Sequence, residues 1–380
     1  MDRHDLVIVG AGPVGMALAL ALKDAGLDIL LVDARARGAA RHDPRVLALA
    51  HGTRLTLERL GVWTQLRATP IETIHVSQQG GFGRSLLRAT DYEQPALGYV
   101  VAAGDLAAAL DDALLAARIP VRGDASVSGL AAGADDVLVS LADGHTLSAR
   151  LAACAEGAIQ GDEDDTLVER DYGQHAVISV ATPAGSHGHR AWERFTPQGP
   201  LAVLPCGHDC AIVHTAAPDA ADALMTLDDA AYLAHLQAHF GQRLRFAAVG
   251  QRARYPLRLR YRPNPVGHRT VWLGNAAQTL HPVAGQGYNL ALRDVWACAQ
   301  VLLRSGGDPG APETLATYAR ERRLDRAGTI RFTDTLVRLF STDLAPLRHA
   351  RGAGLFALDL LPPARHFVAK RMMFGARAWP

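Results

Sequence analysis

Two glycine-punctuated stretches hold the residues best suited to chemistry. The first is Gly10-Ala11-Gly12-Pro13-Val14-Gly15, set between an apolar run and a helix-forming run. The second is Leu273-Gly274-Asn275-Ala276-Ala277-Gln278-Thr279-Leu280-His281-Pro282-Val283-Ala284-Gly285-Gln286-Gly287-Tyr288-Asn289, which also leads from an apolar run into an apolar helix. Glycine lets the backbone approach a ligand closely. A loop that opens onto a helix N-terminus adds free amide N–H groups and partial positive charge. Both stretches therefore suit a ligand rich in anionic oxygen. The second also holds an imidazole, His281. It either activates or orients a hydroxyl near neutral pH, or is satisfied by neighbouring backbone groups.

The elements around the first stretch decide what it binds. Asp5 to Val9 reads as a buried strand, Pro13 to Ala25 as a helix closed by Gly26, and Asp28 to Val32 as a second strand ending at Asp33. This is a βαβ unit carrying the dinucleotide fingerprint, with Asp33 placed for ribose hydroxyls. The motif lies at the extreme N-terminus, no second one follows, and the acid is trailed by Arg35, Arg37, Arg41 and Arg45. Those points favour FAD over NAD. Arg45 either reaches the cofactor or is a solvated surface group. Around the second stretch, Thr270 to Leu273 reads as a strand and Asn289 to Leu303 as a helix closed by Gly306-Gly307. That loop is expected to cradle the flavin with the amides of Gly287, Tyr288 and Asn289.

Between these halves the pattern changes. Ile71 to Gln79 with Gly80-Gly81-Phe82-Gly83 reads as a hairpin, Tyr99 to Ala102 as a strand and Asp105 to Ala117 as a helix. Val121 to Val127, Val137 to Leu141 and Thr146 to Ala149 suggest a small meander turning at Asp143-Gly144. Arg150 to Ala155 reads as a buried strand leading into Ala155-Glu156-Gly157, and Ile159 to Thr166 as an acidic loop. Gly173 to Val180, Trp192 to Phe195, Leu201 to Leu204 and Cys210 to His214 form an antiparallel block, with a helix at Leu227 to Phe240 and a Pro-bearing edge strand at Arg254 to Leu259. Ala311 to Arg338 is helical, with Tyr318 to Arg326 read as a solvated charged face, and Pro362-Pro363 divides the tail Leu355 to Phe374 into two pieces. The expected fold is α/β, a Rossmann-like FAD/NAD(P)-binding domain interrupted by an antiparallel-sheet substrate domain, with a C-terminal helical segment. The boundaries are 1–70, 98–172 and 265–330 for the first, 71–97 and 173–264 for the second, and 331–380 for the third.

Composition narrows the class. Hydrophobic residues at 49% with charged residues at 20% exclude a disordered chain, and a net charge of +1 offers no general attraction to nucleic acid. Cys154, Cys206, Cys210 and Cys298 form no paired CxxC framework, which fits a reducing compartment. Cys206 and Cys210 lack a second ligand pair, so they read as core residues and no metal site is expected. The N-terminus enters a strand almost at once, and no apolar run reaches the ~18 residues of a spanning helix. A cytoplasmic location is expected, with peripheral membrane contact left open.

Taken together, the motifs resemble the class A flavoprotein aromatic hydroxylases of the p-hydroxybenzoate hydroxylase fold. The order is an N-terminal GxGxxG, a middle strand end at Ala155-Glu156-Gly157, and the late Gly274-to-Asn289 loop. Within that family the late loop is similar to the UbiH-like ubiquinone-biosynthesis hydroxylases. So are Arg45-Val46-Leu47-Ala48-Leu49-Ala50, Glu193-Arg194-Phe195-Thr196, Gly199 to Pro205, Tyr255-Pro256-Leu257 and Thr335 to Phe340. The wider family has Asp where Asn275 stands and His where Gln278 stands, a change the UbiH-like branch shares. The wider middle motif is Ala-Asp-Gly followed by Ser and Arg. Here Glu156 replaces Asp, and the Ser and Arg are missing from Ala158 to Asp164.

The resemblance implies hydroxylation of a prenylated phenol of the 2-octaprenyl-6-methoxyphenol kind by O₂, through a C4a-hydroperoxyflavin. NAD(P)H or a reductase partner would supply electrons. It implies cofactor contacts from Gly10, Gly12, Pro13, Val14, Gly15, Asp33, Ala34, Arg35, Arg45, Glu156, Asn275, Pro282, Gly285, Gly287, Tyr288 and Asn289, with His281 as the catalytic candidate. Membership of a ubiquinone-biosynthesis complex and oligomer formation stay open as partners. Two alternatives also stand: a related flavin hydroxylase acting on another ring position or aromatic, and a non-catalytic flavin- or substrate-binding member of such a complex, which the altered middle motif keeps open.

Overall fold

A computed structural model describes residues 2–157, 167–340 and 345–375. The acidic loop expected at Ile159 to Thr166, and the missing Ser and Arg between Ala158 and Asp164, lie outside the described residues.

An apolar run without alternation predicts a strand covered on both faces. Arg3–Val9 is such a strand, with Leu6, Val7, Ile8 and Val9 buried. It pairs in parallel with Ile29–Val32 on one side and Thr146–Cys154 on the other, and Thr146–Cys154 pairs in parallel with Thr270–Trp272. Val9 stands opposite both Val32 and Cys154, and Cys154 opposite Trp272. The four strands therefore end level. The residues that follow them, Gly10, Asp33, Ala155 and Leu273, line one carboxyl edge, the usual ligand position in parallel sheets. Helices Pro13–Ala21, Ala103–Ala116 and Gln286–Ser305 contribute to one large apolar core with this sheet.

Among the described residues the second sheet has nine strands and is mostly antiparallel. Its centre is Val168–Pro183, Asp209–Ala216, Gly199–Cys206 and Arg190–Thr196, and the hairpin Thr73–Gln78/Arg84–Arg88 joins through a parallel pair with Arg190–Thr196. Helices Pro218–Thr226 and Asp229–Phe240 pack on one face. At the far end Gln278–Thr279 from the late loop pairs with Ala253–Tyr261, so the two sheets meet through the loop that follows Leu273. Val46–Ala50, Gly98–Ala102 and Thr69–Ile71 make a third, small sheet.

Several local expectations are corrected. Val121 to Val127 is not one strand: Val121–Arg122 pairs with Ile29–Val32, whereas Val127–Ala132 pairs with Val137–Leu141, and Asp124 at φ 53° turns the chain between them. Thr146 to Ala149 and Arg150 to Ala155 are one strand, Thr146–Cys154. The first helix stops at Ala21. Leu227 to Phe240 opens instead on Asp228, whose side chain accepts the amide of Ala231, after a separate helix Pro218–Thr226. Cys206 and Cys210 point into different apolar clusters.

The largest correction concerns Tyr318 to Arg326. Only part of it is a solvated face: Arg320, Glu321 and Arg323 are exposed, whereas Arg322 is 2% exposed, Asp325 3% and Arg326 4%. The buried charges point inward because partners wait there. Arg322 donates to Asp294 at 2.7 Å and to Asp325 at 2.7 Å, and Arg293 donates to Asp325 at 2.8 Å. Arg326 donates to the Gln278 side-chain oxygen at 2.9 Å. Charge density alone does not distinguish such a network from a wet surface.

Candidate active site

The level strand ends gather segments from across the chain. Gly10 has φ +106°, and a Cβ there would lie 2.8 Å from backbone atoms of Ala155 and Glu156. Only glycine satisfies both demands. A Cβ on Gly15 would overlap the Gly10 carbonyl oxygen, whereas one on Gly12 would meet nothing within 4 Å. Two of the glycines thus hold the turn closed, and the third borders open space. Pro13 opens the helix, and Val14 lies against Gly274, where an added Cβ would come 2.9 Å from the valine side chain.

Asp33 ties the acid to the turn. Its Oδ2 accepts the amide of Ala11 at 2.8 Å, and its Oδ1 accepts the amide of Arg35 at 2.8 Å and Arg35 Nε at 3.2 Å. Burial pushes this carboxyl upward, but the hydrogen bonds from Arg35 and Ala11 outweigh it and hold the pKa below the ordinary value. Ala34 is exposed beside it. Arg45 is half-exposed and paired with Asp43 at 2.6 Å. Both arginines are already committed to carboxylates two residues away.

Glu156 sits past the end of Thr146–Cys154. Burial raises its pKa, the Arg262 charge opposes that, and the Asp33 charge adds to it. Arg262, buried over the Trp272 ring at 4.4 Å, donates to the Ala276 carbonyl at 3.2 Å. Asn275 is exposed and donates to the Gly157 carbonyl at 3.4 Å, so the late loop and the middle segment share one edge.

The late loop turns sharply. Pro282 is exposed, and Ala284 and Gly285 both have φ 60°. For Ala284 the left-handed conformation costs roughly 1–2 kcal/mol. The helix begins at Gln286, three residues before the expected start, so the amides lacking an intrahelical acceptor are those of Gln286, Gly287 and Tyr288. Gly287 is exposed, and a Cβ on it would meet nothing within 4 Å. The Tyr288 hydroxyl is buried with no partner among the described residues, and burial raises its pKa. Asn289 serves otherwise than expected. Its Nδ2 donates to the carbonyls of Ala48 at 2.9 Å and Gly285 at 2.6 Å, and its Oδ1 accepts from the Ala50 amide and the Thr53 hydroxyl at 2.7 Å each. It clamps the loop onto Val46–Ala50 and the helix His51–Arg59.

His281 is 1% exposed, and its Nδ1 accepts the Val283 amide at 3.1 Å. That bond places the proton on Nε2, which has no partner among the described residues, while the ring meets Tyr172 edge-on at 5.4 Å. Burial lowers its pKa to about 4. A neutral imidazole with a free, inward N–H can donate to an oxygen; in this tautomer it cannot remove a proton through Nε2.

In the sequence Glu193 stands out only within the Glu193-Arg194-Phe195-Thr196 likeness, which gives it no role. Burial pushes its carboxyl up to about 7, while a hydrogen bond from the Ala284 amide opposes that. Its Oε1 has no partner among the described residues. Beside it, Phe195, Val283, Val337, Phe340 and Leu355 form an apolar cluster between the second sheet, the late loop and the C-terminal helices. The signal for Glu193 was available: an acid within an alternating strand, on the face shared with Phe195.

Comparisons with known proteins bear on the family and the fold. Residues 3–333 match the FAD binding domain family. The chain is 35% identical to the ubiquinone hydroxylase UbiL of Rhodospirillum rubrum, over 99% of this chain and 91% of that protein. It is 30% identical to the 3-demethoxyubiquinol 3-hydroxylase of Escherichia coli, over 93% and 94%. Among solved structures, p-nitrophenol 4-monooxygenase of Pseudomonas putida superimposes with a TM-score of 0.79 at 18% identity, covering 99% of this chain and all of that one. At that identity the likeness establishes the fold alone.

Proposed function

We propose that this chain, which belongs to the FAD binding domain family of flavin-dependent hydroxylases, hydroxylates the aromatic ring of a prenylated phenol in ubiquinone biosynthesis. One observation carries the reading: the level ends of four strands meet a helix N-terminus, and the loop before that helix bears a buried imidazole and lends an amide to a buried acid beside an apolar cluster. The residues fit FAD. Gly12 and Gly287 border open space, and the turn at Gly10 and Gly15 leaves no room for side chains. In this reading Gly10 to Gly15 and Asp33 hold the dinucleotide, with Glu156, Asn275 and Gly285 along its edge. FAD supplies the redox chemistry, accepting two electrons and activating O₂ so that one oxygen atom enters the ring.

The chain's own groups do the remainder. The amides of Gln286, Gly287 and Tyr288, at the positive end of a helix dipole, stabilise negative charge on the cofactor ring. The His281 Nε2–H donates to the phenol oxygen and orients it. Glu193, poised near neutrality, accepts the phenol proton as the ring becomes nucleophilic. Val283, Phe195 and Phe340 exclude water from the ring and receive the start of the prenyl tail. NAD(P)H supplies the electrons, directly or through a reductase partner.

No helix among the described residues is long and apolar enough to cross a membrane. The C-terminal helices Ala345–Leu360 and Pro362–Phe374 pack inward through Leu355, Ala369 and Met373 and expose Phe356, Leu360, Leu361 and Phe367. That edge supports peripheral contact with the lipid that carries a prenylated substrate.

The test has two parts. Purified protein should carry a reducible flavin and convert a short-tailed 2-prenyl-6-methoxyphenol to its hydroxylated product, consuming O₂. A strain lacking the gene should accumulate a prenylated quinone precursor that lacks one ring hydroxyl. A normal quinone profile in that strain would overturn the assignment, and turnover only of unprenylated phenols would move it to another aromatic.

A further inference from the structure

Away from the flavin edge, three histidines converge on the helix-covered face of the second sheet. His214 lies on Asp209–Ala216, on the face that carries Cys210, Ile212 and Ala216 into the core beneath Asp229–Phe240. His235 and His239 stand one turn apart on that helix, so they share a face. Ring centroids are 5.4 Å apart for His214 and His235, 5.4 Å for His214 and His239, and 4.1 Å for His235 and His239. One ligand nitrogen from each lies within 4.8 Å of the other two.

Two further observations point to a ligand. His214 is 2% exposed, and its Nδ1 has no hydrogen-bond partner among the described residues. A buried polar atom left open in a packed core calls for a partner. His239 Nδ1 lies 2.9 Å from the His235 backbone carbonyl. The ring must donate there, which fixes its proton on Nδ1 and frees the Nε2 lone pair. Metal-ligating histidines are held in their binding tautomer by this kind of bond.

We propose that His214, His235 and His239 bind one divalent transition ion of the zinc class, with a fourth position open to water. Imidazole suits such ions, and three ligands plus a water complete a tetrahedron. With Zn–N bonds of 2.0–2.1 Å the nitrogens would stand about 3.4 Å apart, so the rings close in by roughly an ångström on binding. The ion joins the helix to the sheet. It takes no part in hydroxylation, because Glu193 and Phe195 alternate with Trp192 along their strand and face the opposite side. Arg194, on the helix side, donates to the His239 carbonyl at 2.9 Å and anchors the same helix end.

The test uses untagged, flavin-loaded protein titrated with zinc(II) against a chromogenic chelator, and with cobalt(II) read in the visible region. We expect one zinc per chain, ligand-field bands of a four- or five-coordinate cobalt, and a zinc-dependent rise in melting temperature. His235→Gln and His239→Gln, at half-buried positions, should each weaken zinc binding at least about 100-fold, more than loss of a group that only orients a ligating histidine does. Flavin content and metal-free melting temperature should not change. Because His214→Gln perturbs the core, these two variants carry the test. A folded wild type that ignores micromolar zinc, or binding that survives both substitutions, would overturn the site.

Discussion

Gln278 donates its side-chain amide to Asp294 at 2.6 Å, and both residues are buried. This bond links the late loop to its following helix, and Asp294 passes the connection to Arg322 on the long helix Pro312–Phe340. Burial alone would depress the Arg322 guanidinium; Asp294 and Asp325 overcome it and hold the charge.

Removing one member of such a buried network leaves a charge uncompensated. Asp294→Ala should therefore lower unfolding stability by about 3 kcal/mol or more, read as a shift of the urea midpoint at unchanged slope. A loss below about 0.5 kcal/mol would show that Arg322 finds other partners. Because Gln278 shares the network, the variant should also retain flavin less well.

Gly287 and Gly10 separate cofactor contact from folding. Gly287→Val adds atoms to open space and should leave the melting temperature of the flavin-free chain nearly unchanged, while bound flavin per chain falls several-fold. Gly10→Ala drives a Cβ against Ala155 at a positive φ and should destabilise the chain itself. Full flavin content in Gly287→Val would displace the late loop from the cofactor.

Glu193 predicts a pH dependence of definite sign. From its ordinary value of 4.5 to about 7, the folded chain holds a proton that the unfolded chain releases. Stability contributed by this group is therefore full below about 4.5 and lost as pH rises through 7. Glu193→Gln should be more stable than the parent at pH 8, by on the order of 2 kcal/mol, and equal to it near pH 4.5. The parent's kcat/KM should show a limb near pH 7 that the variant lacks. A limb that persists would assign it elsewhere.

His281 has the opposite sign. Between 6.5 and about 4 the unfolded chain binds a proton that the folded chain does not, so stability is lost as pH falls. At pH 5 the loss is on the order of 2 kcal/mol. His281→Asn, whose Oδ1 can still accept the Val283 amide, should flatten the fall in melting temperature between pH 7.5 and 5. It should lower kcat without reshaping the pH–rate profile. A vanished limb would make His281 the base instead.

Much of the architecture was readable because it rests on short-range signals. Glycine spacing and the apolar runs at Asp5 to Val9 and Asp28 to Val32 announce the βαβ unit, and alternation announces the second sheet. What stayed hidden depends on distant partners. The charged stretch Tyr318 to Arg326 reads as wet until Asp294 and Gln278 arrive from another segment. Glu193 differs from any strand acid only once the fold buries it. His235 and His239 stand visibly one turn apart, but His214 joins them only through the packing of helix on sheet. The start of the late helix was missed because Ala284 adopts a positive φ that alanine rarely takes, so no residue type marks the cap.

The pairing of Val9, Cys154 and Trp272 side by side has a kinetic consequence. The carboxyl edge exists only after segments from the beginning, the middle and the far third of the chain have been brought together in parallel. Such non-local pairing is the slow part of folding. Cofactor cannot load until it is finished, and once loaded it opposes separation of any of the three by mass action. Flavin fluorescence quenching during refolding should therefore time the closure of the whole chain, and its release on heating should mark the first of those strands to part.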